Sequence, residues 1–337
     1  MTRSLLETTD AALPPPEVTP AAVAERSRSR AFRARLVAYG FMAPAIILGL
    51  LFFILPAILV FYLSMTDLST ANFTADVREM NFVGLANFQT LLRDPQVPKI
   101  FYNTIFYVVT TLALFNITAA LIVALLTAHI NRRAGFVYRA LWILPRITTA
   151  SIYVLMWRRI IAEPPYGILN QINGLLGQPQ ILYSAENPWT FVIMVNGFIG
   201  LSFGMIIFTS AIEAIPKDLL NASLVDGSTL MQRVRYVILP LLRWPLLFVV
   251  TYQTLSLLTS FEQILLLTNG GPGLYQTEVW ALTAYHRALS NYFGNAQWGY
   301  GSAFAVLLVL IGVFLAVIYM RVFRFNDLVA EPKIEVL

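Results

Sequence analysis

The sequence predicts an all-α polytopic membrane protein of six transmembrane helices, and three observations carry that reading. Hydrophobic residues occupy 58% of the 337 positions and charged residues only 12%; a soluble domain carries about 25% charged residues. The apolar residues are gathered into runs of about 20, the length a helix needs to cross a hydrocarbon core. Basic residues then fall in alternate connecting segments, as the positive-inside rule requires of a chain that crosses repeatedly.

The spans are expected at 37–65, 103–129, 137–160, 188–212, 244–267 and 300–323. Pro44 and Pro56 lie inside the first. Neighbouring helices in a bundle can satisfy the backbone groups that proline frees, so both are tolerable there. Orientation follows from lysine and arginine. Placing the N-terminus inside puts Arg3, Arg26, Arg28, Arg30, Arg33 and Arg35 in the cytoplasm. Arg132, Arg133, Arg139, Lys217, Arg233, Arg235, Arg243, Arg321, Arg324 and Lys333 join them, sixteen of the 23 basic residues. The outside keeps Arg78, Arg93, Lys99, Arg158, Arg159 and Arg287, and Arg146 lies within a span. Both termini are therefore expected inside.

Residues 1–35, with Pro14-Pro15-Pro16 and an Arg/Ser run, read as a disordered basic cytoplasmic tail that serves as an orientation signal. The membrane domain is expected over 36–325, with a cytoplasmic loop at 213–243 and a short tail at 326–337.

Several chemistries are excluded. There is no Cys, so disulfides and thiol catalysis are absent. Lys99, Lys217 and Lys333 each follow a proline, so no phosphate-cradling Gly-Lys exists. His129 and His286 fit no metal spacing, and His129 suits a helix C-terminus. The net charge of +5 reflects retained cytoplasmic arginines rather than nucleic-acid binding. No cofactor is expected.

The informative loop runs from Glu213 to Pro245. Pro216 suits a first helical position, and Asp226-Gly227 is a turn in which glycine adopts positive φ without steric cost. Thr229 and Gln232 have capping-box spacing. Leu230, Val234, Val237 and Ile238 then form one apolar stripe, and Pro240 ends the loop. Such a helical hairpin can lie on lipid or fill a groove on a partner.

This loop resembles the "EAA" coupling loop of type I ABC importer permeases, in particular those of the carbohydrate-uptake branch. The matching positions are Pro216, Asn221-Ala222-Ser223, Asp226-Gly227 and Leu239-Pro240. Phe261-Glu262-Gln263-Ile264 with Leu267-Thr268-Asn269-Gly270-Gly271-Pro272 is similar to the family's outer motif. Phe82-Val83-Gly84-Leu85-Ala86-Asn87-Phe88 is similar to its external motif. The resemblance implies that Asn221, Ala222, Ser223, Asp226, Gly227, Leu230 and Val234 couple to an ATPase subunit. Asn221 stands where the family usually has Glu, which removes an ion-pairing group.

Polar residues inside spans face a cavity or the bundle interior, and the fourth and fifth spans are rich in them. Gly200 and Gly204 have the spacing of close helix packing. Similarity to the larger permease subunits of maltose importers implies substrate contacts at Asn196, Ile199, Gly200, Phe203, Gln253, Ser256, Leu257 and Ser260. Glu262, near the outer end, reads as structural or gating rather than proton-coupling.

The resemblance implies a subunit of the bacterial inner membrane that moves a di- or oligosaccharide, or a glycerol-phosphate-type solute, by alternating access. Its partners would be a second homologous permease, two ATPase subunits, an external solute-binding protein and membrane lipid. The competing reading is an ion-coupled secondary transporter, which needs an ionisable pair at mid-membrane. A structural scaffold is the third, and the polar spans count against it.

Overall fold

The computed structural model describes residues 37, 39–73, 80–290 and 294–322. The expected tails at 1–35 and 326–337 lie outside these residues. The chain divides into two compact units between Leu59 and Val60.

Helix α1 is Tyr39–Leu63, and the first unit holds it as far as Leu59. Its turns widen to π geometry over Leu50–Ile54, where the Leu55 N–H reaches back to the Leu50 carbonyl. Pro56 follows at once, and a ring that cannot donate and crowds the preceding turn explains a loosened ladder just ahead of it.

The second unit then holds α2, Ala86–Arg93, and the long α3, Val97–His129. Sequence placed the start of this span at 103. Pro98 fits the first helical turn, where its missing N–H has no intrahelical partner to lose, so the helix begins earlier and buries Ile100. Its middle, Leu112–Ala119, is a π segment. At its end the His129 ring nitrogen meets the Leu125 carbonyl at 2.7 Å, the helix-end role expected of it.

The third predicted span is broken. Helix α4, Arg132–Ile147, is capped by Asn131, which accepts from the Arg133 N–H, and α5 covers Ala150–Ile160. The two meet at 99°. Pro145 weakens the last turn of α4, Thr148 and Thr149 take extended ψ, and the Thr148 hydroxyl caps the Leu144 carbonyl at 2.9 Å. A continuous apolar pattern concealed this corner.

After the short α6, Ile168–Leu175, α7 runs unbroken through Pro188–Glu213. The loop hairpin is α8, Lys217–Val225, and α9, Leu230–Leu241, followed by α10, Arg243–Thr259, at 69° to α9. Pro216 precedes the first helical residue rather than occupying it. Pro240 lies inside α9, and the corner falls at Leu242.

The fifth predicted span also breaks. Ser260 is extended and α11, Glu262–Leu267, restarts the helix. The Ser260 hydroxyl in this gap donates to Gln263 of α11 and accepts from Asn196 of α7. Helices α12, Trp280–Leu289, and α13, Trp298–Val322, complete the chain. Among the described residues four helices are thus long and apolar enough to span, and six when each bent pair counts as one.

Of three apolar clusters among the described residues of the second unit, a small one joins Leu91, Ile100, Trp280 and Phe304, and two larger ones share α7. One joins Tyr107, Tyr153, Val195, Leu257 and Ile264; the other joins Ala124, Met205, Phe208, Ile238, Leu242 and Val249. Helix α7 contributes to both and so forms the central post.

Candidate functional site: a polar, glycine-lined wall and a projecting hairpin

The fourth and fifth spans meet where the sequence is most polar. Three glycines let α7 approach the π segment of α3 closely. A Cβ at Gly200 would fall 2.3 Å from the Asn116 side-chain oxygen, and one at Gly204 would fall 2.4 Å from the Asn116 carbonyl. The close-packing reading of this glycine pair therefore describes the geometry. Asn116 itself is fully buried, and neither end of its amide has a hydrogen-bond partner among the described residues.

The expected substrate residues divide into two groups. Asn196, Gly200, Gln253 and Leu257 are buried. The Asn196 amide donates to the Tyr107 hydroxyl and, at 2.9 Å, to Ser260. The Gln253 amide donates to the Gly200 carbonyl at 2.7 Å. Ser260 in turn donates to Gln263, whose own amide donates to Tyr153. These polar groups knit α3, α5, α7 and α10 together, and Leu257 packs in the core. Ile199, Phe203 and Ser260 are half-buried, and Ser256 is exposed. Phe203 stacks on Tyr252 with ring centres 4.5 Å apart, and Phe248 lies 6.2 Å from Phe203. The exposed wall is thus aromatic and hydroxyl-bearing, and the amides stand behind it.

At the loop end, α8 and α9 present an apolar surface. Val225 is 88% and Met231 73% exposed, and Leu219, Leu224, Leu230 and Tyr236 are also exposed. Asn221, Ala222 and Asp226 are exposed, whereas Ser223 is buried and its hydroxyl bonds the Leu220 carbonyl. Gly227 has φ +74°, the left-handed region that favours glycine. Thr229 and Gln232 form both halves of the capping box. The expected stripe is graded: Ile238 is buried, Val234 and Val237 are half-buried, and Leu230 is exposed. The hairpin is anchored at its α9 base and free at its tip. Beside the base, Arg139 pairs with Glu213. Both line a cavity of about 1070 Å³ with Thr127, Asn131, Arg133 and Lys217.

At the other end, both outer motifs are built turns. Gly84 and Val83 donate to the Met65 carbonyl, and the Asn87 amide bonds the Ser64 and Thr66 carbonyls. In the Gly-Gly-Pro segment Asn269 and Gly270 take positive φ. Beneath them lies a pair that the sequence reading missed. Glu278 and His286, 2% and 1% exposed, meet at 3.0 Å, and the other His286 nitrogen meets the Asn269 side chain at 3.0 Å. Only the eight-residue spacing and the intervening turn bring them together, so no local pattern signalled them. Glu262 is exposed at the first turn of α11, where a carboxylate suits the helix dipole. No group of three or more His, Cys, Asp or Glu able to hold a metal occurs among the described residues.

A chain of apolar helices with a polar central wall and an exposed helical hairpin at one end defines the membrane subunit of a transporter. Residues 101–327 match the model of the binding-protein-dependent transport system inner membrane component, and the chain belongs to that family. It is 26% identical over 301 residues to the trehalose/maltose transport system permease protein MalF of Thermococcus litoralis, covering 88% of this chain and 96% of that protein. It is 29% identical over 298 residues to the sn-glycerol-3-phosphate transport system permease protein UgpA of Agrobacterium fabrum, covering 87% and 97%. The probable ABC transporter permease protein YesP of Bacillus subtilis is 31% identical over 301 residues, covering 87% and 92%. Among solved structures, a bacterial alginate ABC transporter in complex with an alginate pentasaccharide-bound periplasmic protein has a chain of the same fold. That match has a TM-score of 0.74 at 19% identity, covering 88% of this chain and 97% of that one. The protein is a permease of the type I ABC importer fold.

Proposed function

We propose that this permease moves a sugar, or a glycerol-phosphate-type solute, from an external solute-binding protein into a bacterial cytoplasm by alternating access. The named relatives that carry sugars and glycerol 3-phosphate support this substrate range. The chain sits in the inner membrane with both termini inside and pairs with a second, similar permease. Two separate ATPase subunits hydrolyse ATP, since this chain has no Gly-Lys phosphate loop. Phe203, Ser256, Ile199 and Ser260 face the solute; Asn196, Gly200, Gln253 and Leu257 hold the wall behind them. Asn221, Ala222, Ser223, Asp226, Gly227, Leu230 and Val234 dock the ATPase.

The observation that carries the reading is the α8–α9 hairpin. Its tip exposes Val225 and Met231 around a turn held by Gly227, a surface suited to a groove on another protein. Replacing Gly227 by valine puts a β-branched side chain at strongly disfavoured positive φ. The spans should still insert and the two permeases still associate, while the ATPase subunits are lost on purification and uptake fails. Unchanged ATPase retention in Gly227→Val would remove the docking role and with it the importer mechanism.

A further inference from the structure

The sequence places Arg146 well inside the third expected span, 137–160. It occupies the last turn of α4, one residue before the helix ends. Its guanidinium lies over the Phe203 ring, 5.1 Å from the centroid. Phe203 fixes its depth. It is the sixteenth residue of the 26 in α7, about 22 Å from one end and 15 Å from the other at 1.5 Å per residue. Its stacking partner Tyr252 is the tenth of 17 residues in α10. The charge is therefore held near mid-membrane.

Such a charge is costly at the centre of a spanning helix. A cation–π contact returns only part of that cost, so the aromatic partner alone does not balance it. A carboxylate normally would. The ion pairs found among the described residues are Arg139–Glu213, His286–Glu278 and Arg287–Asp94, and none includes Arg146. Glu213, at the loop end of α7, already has Arg139, and Glu262 heads α11 beyond the far end of α10. Arg146 is exposed, and so are Tyr252 and Ser256 one helical turn apart on α10. Its planar fork of donors is thus presented beside the stacked pair of Phe203 and Tyr252. That fork matches the paired oxygens of a carboxylate, phosphate or sulfonate, and aromatic faces beside polar groups suit a sugar ring.

We propose that the transported solute is an anionic sugar or sugar ester, its oxyanion received by Arg146 and its ring set against the exposed Tyr252. This rests on the permease reading and specifies its substrate class. Arg146 then acts as a specificity residue: a neutral glycoside leaves the guanidinium without its counter-charge in the cavity.

The test uses the complete importer, this chain with its partner permease, ATPase subunits and solute-binding protein, reconstituted in liposomes. Uptake of a glucuronide, a sugar phosphate and a sugar sulfonate is compared with that of each neutral parent, so the arms separate the three oxyanions. At least one charged probe should enter about tenfold faster than its parent, and Arg146→Gln should remove about that factor through loss of a charge-assisted bidentate contact. Arg146→Lys, which keeps the charge without the fork, should retain part of it. All variants should keep their partner subunits, which separates this effect from misfolding. Equal or faster uptake of the neutral parents, or charged uptake that Arg146→Gln leaves unchanged, overturns the proposal and assigns Arg146 to a partner contact. Neutral uptake that still disappears in Gly227→Val would leave the importer mechanism standing and sink the anion alone.

Discussion

The side-chain amide of Gln253 donates to the backbone carbonyl of Gly200 at 2.7 Å, so the most polar stretch of the fifth span is fastened to the glycine face of the fourth. Asn196 performs a similar service one turn away, donating to Tyr107 and Ser260. Residues that resemblance placed in contact with solute are therefore tied first to the protein, and what they hold in place is the gap between α7 and α10.

Gln253→Leu keeps the volume and removes the bond. The loss should lower the stability of the purified permease by about 0.5–1.5 kcal/mol, the net worth of one hydrogen bond. Membrane level should stay normal while uptake falls roughly fivefold, the factor that about 1 kcal/mol corresponds to. Thermal unfolding in detergent and uptake in vesicles read the two effects separately. Wild-type values in both Gln253→Leu and Asn196→Ala would deny these amides any part in the transport path.

Gly200→Ala tests the other side of the same contact. An added methyl meets the Asn116 side-chain oxygen at 2.3 Å, so α3 and α7 must separate or Asn116 must turn. Overpacking of this kind costs about 1–3 kcal/mol. Combining it with Asn116→Ala, which makes room for the methyl, should restore most of the melting temperature. A double variant no more stable than Gly200→Ala alone would mean that the two positions do not press on one another.

The Glu278–His286 pair should behave as a unit. His286→Leu leaves a carboxylate that is 2% exposed with one partner fewer, at a cost of about 1–3 kcal/mol. It also frees Asn269 from the nitrogen that holds it, so proteolysis should quicken at the Thr268–Thr277 turn. Glu278→Leu with His286→Leu should recover much of the stability, since an apolar pair of similar volume needs no partner. Equal melting of the single and double variants would refute the coupling.

Much of this was legible beforehand because the relevant signals are local. Runs of apolar residues mark the spans, and Thr229 and Gln232 declare their cap by spacing alone. Gly227 follows Asp226 where only glycine is comfortable. What escaped was set by contacts between elements. The breaks at Thr148–Thr149 and Ser260 interrupt apolar runs that hydropathy reads as continuous, and the hydroxyls that relieve them also occur in unbroken helices. The sequence places Arg146 within a span, and only Phe203, on a different helix, gives it a depth and a neighbour. Asn116 and Glu278 carry no local signal, and the partners of His286 are set by the turn that brings Glu278 and Asn269 to it.

The corner at Leu242 has a mechanical meaning. Helix α9 meets α10 at 69°, and the buried Leu242 and Ile238 pin the vertex, so the two arms form a bell crank. The outer arm, the twelve residues Leu230–Leu241, is about 18 Å long at 1.5 Å per residue. The inner arm, the 17 residues of α10, is about 25 Å long on the same measure. A sideways push of about 5 Å on the hairpin tip turns such a crank by about 16° and sweeps the far end of α10 by about 7 Å, given these helix lengths. Ser256 and Ser260 lie toward that far end, so a lever of this geometry would enlarge a stroke at the hairpin by the ratio of its two arms.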